Sequence, residues 1–134
     1  SIFRQEWIEE LLDAARAANV GLIAREPLGN GFLAGRITAA RRFVPGDIRA
    51  HWPQGMIDAR IAVADRLRFL VRPDRTLAQA ALRFVLAFSE IGVTIPGIKS
   101  PEQAVENLGA SEAPPLTADE VARVRDLAER DFGL

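Results

Sequence analysis

Pro96-Gly97-Ile98-Lys99-Ser100-Pro101-Glu102-Gln103-Ala104-Val105-Glu106-Asn107 reads as a strand end that delivers a basic residue to a capped helix start. The run before it, Ile91-Gly92-Val93-Thr94-Ile95, is short, apolar and β-branched, which suits a buried parallel strand. Pro96 ends that strand because it has no N–H for the ladder, and Gly97 lets the chain turn. Ser100 is a preferred N-cap, Pro101 fits the first helical position, and Gln103 stands where its side chain can close a capping box. A helix starting at Pro101 presents first-turn N–H groups at the positive end of its dipole, and Lys99 adds a full charge beside them. The stretch therefore predicts an anion-binding site.

The chain has 134 residues, no cysteine, 17 basic against 18 acidic residues and a net charge of −1. Such a balance provides no strong field for nucleic acid, and no apolar run approaches the roughly 20 residues needed to span a bilayer. Neither DNA nor membrane is an expected partner, and a soluble cytoplasmic protein is the expected class. Ser1-Ile2-Phe3-Arg4-Gln5 lacks an initiating Met and the apolar core of a signal peptide, so it reads as the interior of a longer chain.

Outward from the opening stretch, the periodicity predicts a helix over Glu6 to Ala18 with Trp7, Ile8, Leu11, Leu12, Ala14, Ala15 and Ala18 on its apolar side, ended by Asn19. A strand follows over Val20 to Ala24, broken by Pro27-Leu28-Gly29-Asn30-Gly31, whose glycines allow close backbone approach to a ligand or a plain turn. Residues 36–55 form a long Arg-rich stretch with Arg36, Arg41, Arg42 and Arg49, expected to be a lid or a solvated loop. A second helix is expected over Ile57 to Val71 with Ile61, Ala64, Leu67, Leu70 and Val71 inward, ending before Pro73. Thr76 with Gln79 opens a third, Leu77 to Phe88, apolar on nearly every side. Thr117 with Glu120 opens the last, with Val121, Val124, Leu127 and Ala128 inward and Gly133 closing it. The order is α/β with two clear strands. Two parallel strands do not make a sheet with two covered faces, so a piece of a larger α/β fold is favoured over a self-contained helical domain.

Three ordered blocks resemble the C-terminal part of the aldo-keto reductases, nicotinamide-dependent enzymes built on a (β/α)8 barrel. Ala24-Arg25-Glu26-Pro27-Leu28-Gly29-Asn30-Gly31-Phe32-Leu33-Ala34-Gly35 looks like the segment leaving the seventh strand. Thr76-Leu77-Ala78-Gln79-Ala80-Ala81-Leu82 looks like the helix before the eighth. Ile95-Pro96-Gly97-Ile98-Lys99-Ser100, with Gln103, Glu106 and Asn107, is similar to the segment for the adenosine end of the cofactor. Barrel enzymes commonly hold a phosphate group in the loops after strands seven and eight. The resemblance implies the fold class, a C-terminal fragment of a TIM barrel spanning 1–134, helix-rich with two parallel strands and with its N-terminal part missing.

It also implies that Pro27, Leu28, Gly29 and Asn30 line the pyrophosphate and nicotinamide side of an NADP(H) site. Gly97, Lys99, Ser100, Gln103, Glu106 and Asn107 would hold the adenosine ribose, its 2′-phosphate and the adenine edge. Gln103 has two competing uses, closing the cap or facing adenine. Arg25-Glu26 differs from the aromatic-Ser pair more usual at the nicotinamide. The family's chemistry uses Asp, Tyr, Lys and His from earlier strands, and this chain contains no tyrosine. No residue here is assigned a catalytic role and no metal is expected; the lone His51 reads as a surface or substrate-edge residue. The implied partners are a small carbonyl substrate and the N-terminal half of the barrel, or a second copy. A noncatalytic cofactor-binding or interaction module derived from the family is the competing reading. For the lid, the expectation is that Arg41, Arg42, Arg49 or Trp52 closes over the cofactor. Replacing Trp52 with Ala would then alter substrate range with little change in NADPH affinity.

Overall fold

Two parallel strands, β1 (Leu22–Arg25) and β2 (Ile91–Ile95), pair in the register Leu22↔Ile91, Ile23↔Val93, Ala24↔Thr94 and Arg25↔Ile95, with an irregularity between Leu22 and Ile23. The computed structural model describes residues 1–6 and 8–131, so Trp7 and Gly133, given roles above, lie outside the described residues. Helix α1 (Ile8–Ala17) ends as Asn19 predicted. Asn19 takes φ +54, and the N–H groups of Asn19 and Val20 donate to Arg16 O and Ala15 O, a Schellman arrangement with Asn in the left-handed position.

The crossover between the strands contains α2 (Gln54–Arg66) and α3 (Leu77–Val85). Helix α2 starts three residues earlier than its apolar period implied, and a 3-10 turn over Arg68–Leu70 takes over its end. That change of winding keeps Leu67 and Leu70 buried and turns Val71 outward at 42% exposure, which corrects its inward assignment. Helix α3 has both halves of its capping box: Gln79 N donates to Thr76 Oγ1 at 3.2 Å, and Thr76 N donates to Gln79 Oε1 at 2.9 Å. It stops at Val85 rather than Phe88, and Phe84 meets Phe88 edge-on at 5.6 Å. Leu77, Ala78, Ala80, Ala81, Leu82, Phe84 and Val85 are all buried, so α3 is the centre of the core.

After β2 come α4 (Pro101–Leu108) and α5 (Ala118–Asp131). The second capping box forms as expected between Thr117 and Glu120. The strongest polar anchor is one the sequence reading passed over. Arg75, 1% exposed, donates to the Leu70, Pro114 and Pro115 carbonyls and to Glu120, which also receives Arg72. Burial pushes the Glu120 carboxyl up, but Arg75, the Thr117 N–H and Arg72 outweigh it, and the net shift is downward.

The buried strand that the apolar run of β2 suits is covered on one face only, as a piece of a larger sheet would be. Ile91 and Ala24 pack on the core, while Ile23, Val93 and Ile95 are 64%, 52% and 54% exposed on the other face. Parallel strands are ordinarily covered on both faces, and here helices cover one. Among the described residues, no helix is long and apolar enough to cross a membrane.

Candidate functional site

Because Arg25 pairs with Ile95 in a parallel ladder, the loops that leave β1 and β2 emerge at the same edge of the sheet. That edge, at the carboxyl ends of parallel strands, is where α/β folds bind ligands. The opposite edge is closed: Leu22 N donates to Glu90 O at 2.8 Å, and Arg16 pairs with the Glu90 carboxylate at 2.5 Å.

The loop after β1 is buried and backbone-strained. Glu26, Gly29, Asn30 and Gly31 have φ of +53, +52, +56 and +90. Pro27, Leu28 and Gly29 are buried, and a Cβ on Gly29 would lie 2.3 Å from Phe3 Cδ2, so glycine is required there for space as well as for φ. The N–H groups of Gly29, Gly31, Phe32 and Leu33 donate within the loop, to the Glu26, Leu28 and Gly29 carbonyls. Non-glycine residues in this region persist only where the surroundings over-determine them.

Those surroundings come from segment 36–53. Asp47 caps the 3-10 turn Ile48–His51, accepting from Arg49 N at 3.0 Å, Arg49 Nε at 2.9 Å and Arg49 Nη2 at 2.6 Å. Arg49 Nη1 donates to the Asn30 carbonyl oxygen at 2.8 Å. The Asp47 carboxyl is held well below the usual aspartate range, first by the Arg49 side chain, then by the Arg49 backbone N–H, with a smaller contribution from the Lys99 charge. The Lys99 influence joins this segment to the loop after β2. Arg41, Arg42 and His51 are exposed, whereas Arg49 and Trp52 are partly buried.

The loop after β2 is open. Gly97 and Lys99 are exposed, and nothing lies within 4 Å of the position a Gly97 Cβ would take. Gly97 makes its turn without a positive φ. Ser100 caps α4, with its hydroxyl accepting from Gln103 N at 3.3 Å. Gln103 Oε1 accepts from Lys99 N at 2.8 Å, so the box closes one residue outside its expected place and the capping use of Gln103 is the one observed. The Glu102 carboxyl sits low, held by the Ser100 hydroxyl and its own N–H. The helix start therefore already carries a carboxylate of its own. This differs from the open row of donors expected from sequence, and it leaves Lys99 as the group with charge to offer an anion.

The remaining members of the set come together on α4. Asn107, 7% exposed, donates from Nδ2 to Gly97 O at 3.4 Å, which brings it beside the loop that carries Lys99. Glu106 pairs through Oε2 with Arg36 Nη2 at 2.6 Å, and its carbonyl accepts from Gln79 Nε2 at 3.2 Å. A surface groove of about 840 Å³ runs along the flank of α4 past Arg36, Gln79, Glu102, Glu106 and Glu112. Its carboxylates outnumber Arg36 and disfavour phosphate there. Sequence reasoning did not assign Asp47, which fixes Arg49, or the role of Arg36, which pairs across 70 positions with the assigned Glu106.

The family model described as the aldo/keto reductase family matches residues 1–129. Among curated proteins, the chain is 35% identical over 123 residues to "Aldo-keto reductase str7" of Strobilurus tenacellus, covering 89% of this chain and 36% of that protein. It is 30% identical over 133 residues to the "NADH-specific methylglyoxal reductase" of Escherichia coli K12, covering 96% of this chain and 40% of that one. Among solved structures, an aldo-keto reductase from Bacillus halodurans in its holo form superposes with a TM-score of 0.68 at 26% identity over 96% of this chain and 40% of its own. A glycerol dehydrogenase from Gluconobacter oxydans reaches 0.82 at 22% identity over 97% and 40%. The chain thus spans about 40% of the length of these relatives and has the helix-rich, two-stranded form of a C-terminal portion of their (β/α)8 barrel. By its sequence, its paired strand ends and this likeness, the chain belongs to the aldo/keto reductase family.

Proposed function

We propose that this chain is the C-terminal portion of an NADP(H)-dependent aldo-keto reductase, with the cytoplasm as its expected setting. It supplies cofactor contacts for hydride exchange between a small carbonyl compound and its alcohol. The observation that carries the reading is the Arg25–Ile95 pairing, which brings the glycine-rich loop and the lysine loop to one edge. Pro27, Leu28, Gly29 and Asn30 then line the pyrophosphate and nicotinamide side. Since the Gly29, Gly31, Phe32 and Leu33 amides are used within the loop, the Leu28 and Asn30 amides, without an acceptor among the described residues, meet the phosphate oxygens.

Gly97 gives the backbone room for close approach, and Lys99 meets the 2′-phosphate, joined by the Ser100 hydroxyl once its proton turns from the Glu102 carboxylate. Glu106 and Asn107 face the adenosine, oriented by Arg36 and Gly97 O, while Gln103 reaches it only through the amide nitrogen left over from its bond to Lys99 N. Bound NADP(H) supplies the hydride. The chain has no tyrosine, so the proton donor comes from the N-terminal part of the barrel, whose strands cover Ile23, Val93 and Ile95.

The test is a fluorescence titration of the 134-residue chain with NADPH and NADH, followed by an aldehyde-reduction assay with and without the N-terminal half supplied. Saturable NADPH binding, with turnover only when the halves are combined, is expected. Failure of the combined halves to bind NADPH would overturn the assignment.

A further inference from the structure

Six side chains form one continuous column that leaves the loop after β1 at Gly29 and returns to it at Asn30. Phe3 fills the space a side chain at Gly29 would need, its Cδ2 2.3 Å from where a Cβ would stand. The Arg60 guanidinium carbon lies 5.3 Å from the Phe3 ring centroid and 5.0 Å from that of Trp52. Trp52 stacks on Phe32 at 6.0 Å with 10° between planes, and Phe32 meets Phe43 at 6.4 Å and 61°. The Arg49 guanidinium carbon is 4.4 Å from the Phe43 centroid, and Arg49 ends the column on the Asn30 carbonyl.

Simple surface packing does not account for this order. Among the described residues, Arg60 Nε is buried with no hydrogen-bond partner, and the ring faces on either side hold the guanidinium. Asp47 grips Arg49 at two nitrogens, which fixes the plane of the guanidinium that stacks on Phe43 and aims Nη1 at Asn30. Between the two ends of the column lie Gly29 and Asn30, both in the left-handed region. A strained loop is clamped at two of its four positive-φ positions, Gly29 and Asn30.

We propose that Arg49 and Trp52 are positioning residues: the column from Phe3 to Arg49 holds Gly29 and Asn30 in the one conformation that receives the cofactor's pyrophosphate. Segment 36–53 is then a brace for the cofactor loop rather than a door over it. The inference rests on the cofactor reading above. It also reverses the sequence-based expectation for Trp52, whose loss should weaken cofactor binding instead of altering carbonyl selectivity.

The test uses the 134-residue chain with Arg49→Ala, Arg49→Lys, Trp52→Ala and Trp52→Phe. Amide hydrogen exchange is read at Gly31 and Leu33, whose N–H groups donate to Leu28 O, against the buried helix α3 as an internal standard. NADPH dissociation constants are measured on the same samples. Both Ala variants should exchange about tenfold faster at Gly31 and Leu33 with α3 unchanged, and bind NADPH about tenfold more weakly, because the competent loop is then a minor state. Trp52→Phe, which keeps a ring in the column, should stay within about twofold of the parent in both readouts, while Arg49→Lys, which loses the fork, should follow Ala. If an Ala variant fails to fold, the contrast between Arg49→Lys and Trp52→Phe decides.

Unchanged exchange at Gly31 and Leu33, a change shared equally by α3, or a looser loop with undiminished NADPH affinity would each overturn the brace. Loop loosening in variants of a parent that itself takes up no NADPH would instead refute the cofactor reading and leave the brace as a purely structural device.

Discussion

The loop after β1 is buried and strained, with Pro27, Leu28 and Gly29 inside the packing and positive φ at Glu26, Gly29, Asn30 and Gly31. The loop after β2 is exposed at Gly97, Ile98 and Lys99 and has ordinary backbone throughout. One is held by what packs on it, Phe3 at Gly29 and Arg49 at Asn30. The other is anchored through local bonds, Ser100 to Gln103 N and Gln103 to Lys99 N, with Asn107 reaching back to Gly97 O. The contrast implies a division of labour. The packed loop sets geometry and tolerates little change, whereas the open loop presents charge and can change without disturbing the core. A shift of cofactor preference within this scaffold would then come from the second loop.

The sharpest way to break this contrast is Gly29→Ala. A left-handed φ costs an L-residue about 1–2 kcal/mol, and overpacking adds about 1–3. Urea denaturation should therefore show a loss of about 2–5 kcal/mol, against less than about 0.5 kcal/mol for Gly97→Ala at its open position. Equal losses would show that the two loops are not built differently.

Next in size is Lys99→Ala. Hydrogen bonds to charged groups contribute about 1.5–3 kcal/mol, so competition titrations should show NADPH affinity falling at least about tenfold while NADH affinity holds. Stability should stay within about 0.5 kcal/mol of the parent. Parallel losses for both cofactors would mean that Lys99 does not read the 2′-phosphate.

Ser100→Ala removes the α4 cap and should cost about 1 kcal/mol in thermal denaturation. The loss should leave exchange in the β1 loop untouched.

The smallest effect is expected from pH. Asp47 lies below the ordinary aspartate value because Arg49 binds its charged form, so its contribution is fully present above about pH 4 and fades as pH falls further. The stability gap between the parent and Asp47→Asn should accordingly be constant from neutral pH down to about 4.5 and shrink below that. A gap that does not depend on pH would remove Asp47 from the account.

Much of this was legible in the sequence where the physics is local. The boxes at Thr76–Gln79 and Thr117–Glu120, the Ser100 cap and the left-handed Asn19 all depend on residues within a few positions, and each formed. Strand β2 stood out because a short β-branched run ends at proline. What stayed hidden depends on distance along the chain. Arg75 draws its partners from Leu70, Pro114, Pro115 and Glu120, and nothing around position 75 announces them. The Arg36–Glu106 pair and the grip of Arg49 on Asn30 are hidden for the same reason. The apolar run of β2 reports a capacity for burial and not the presence of a covering layer, so which face stands open at Ile23, Val93 and Ile95 is read only from the structure. Val71 was misjudged because the turn at Arg68–Leu70 breaks the helical period that had pointed it inward.

The most direct test of the central claim is an NMR titration of the 134-residue chain with NADPH, following backbone amides. The account predicts saturable shifts that cluster at Leu28, Asn30, Lys99, Ser100 and Asn107, drawn from both loops at once. Saturable shifts confined to the acidic groove beside Glu102 and Glu112, with both strand-end loops unmoved, would contradict it.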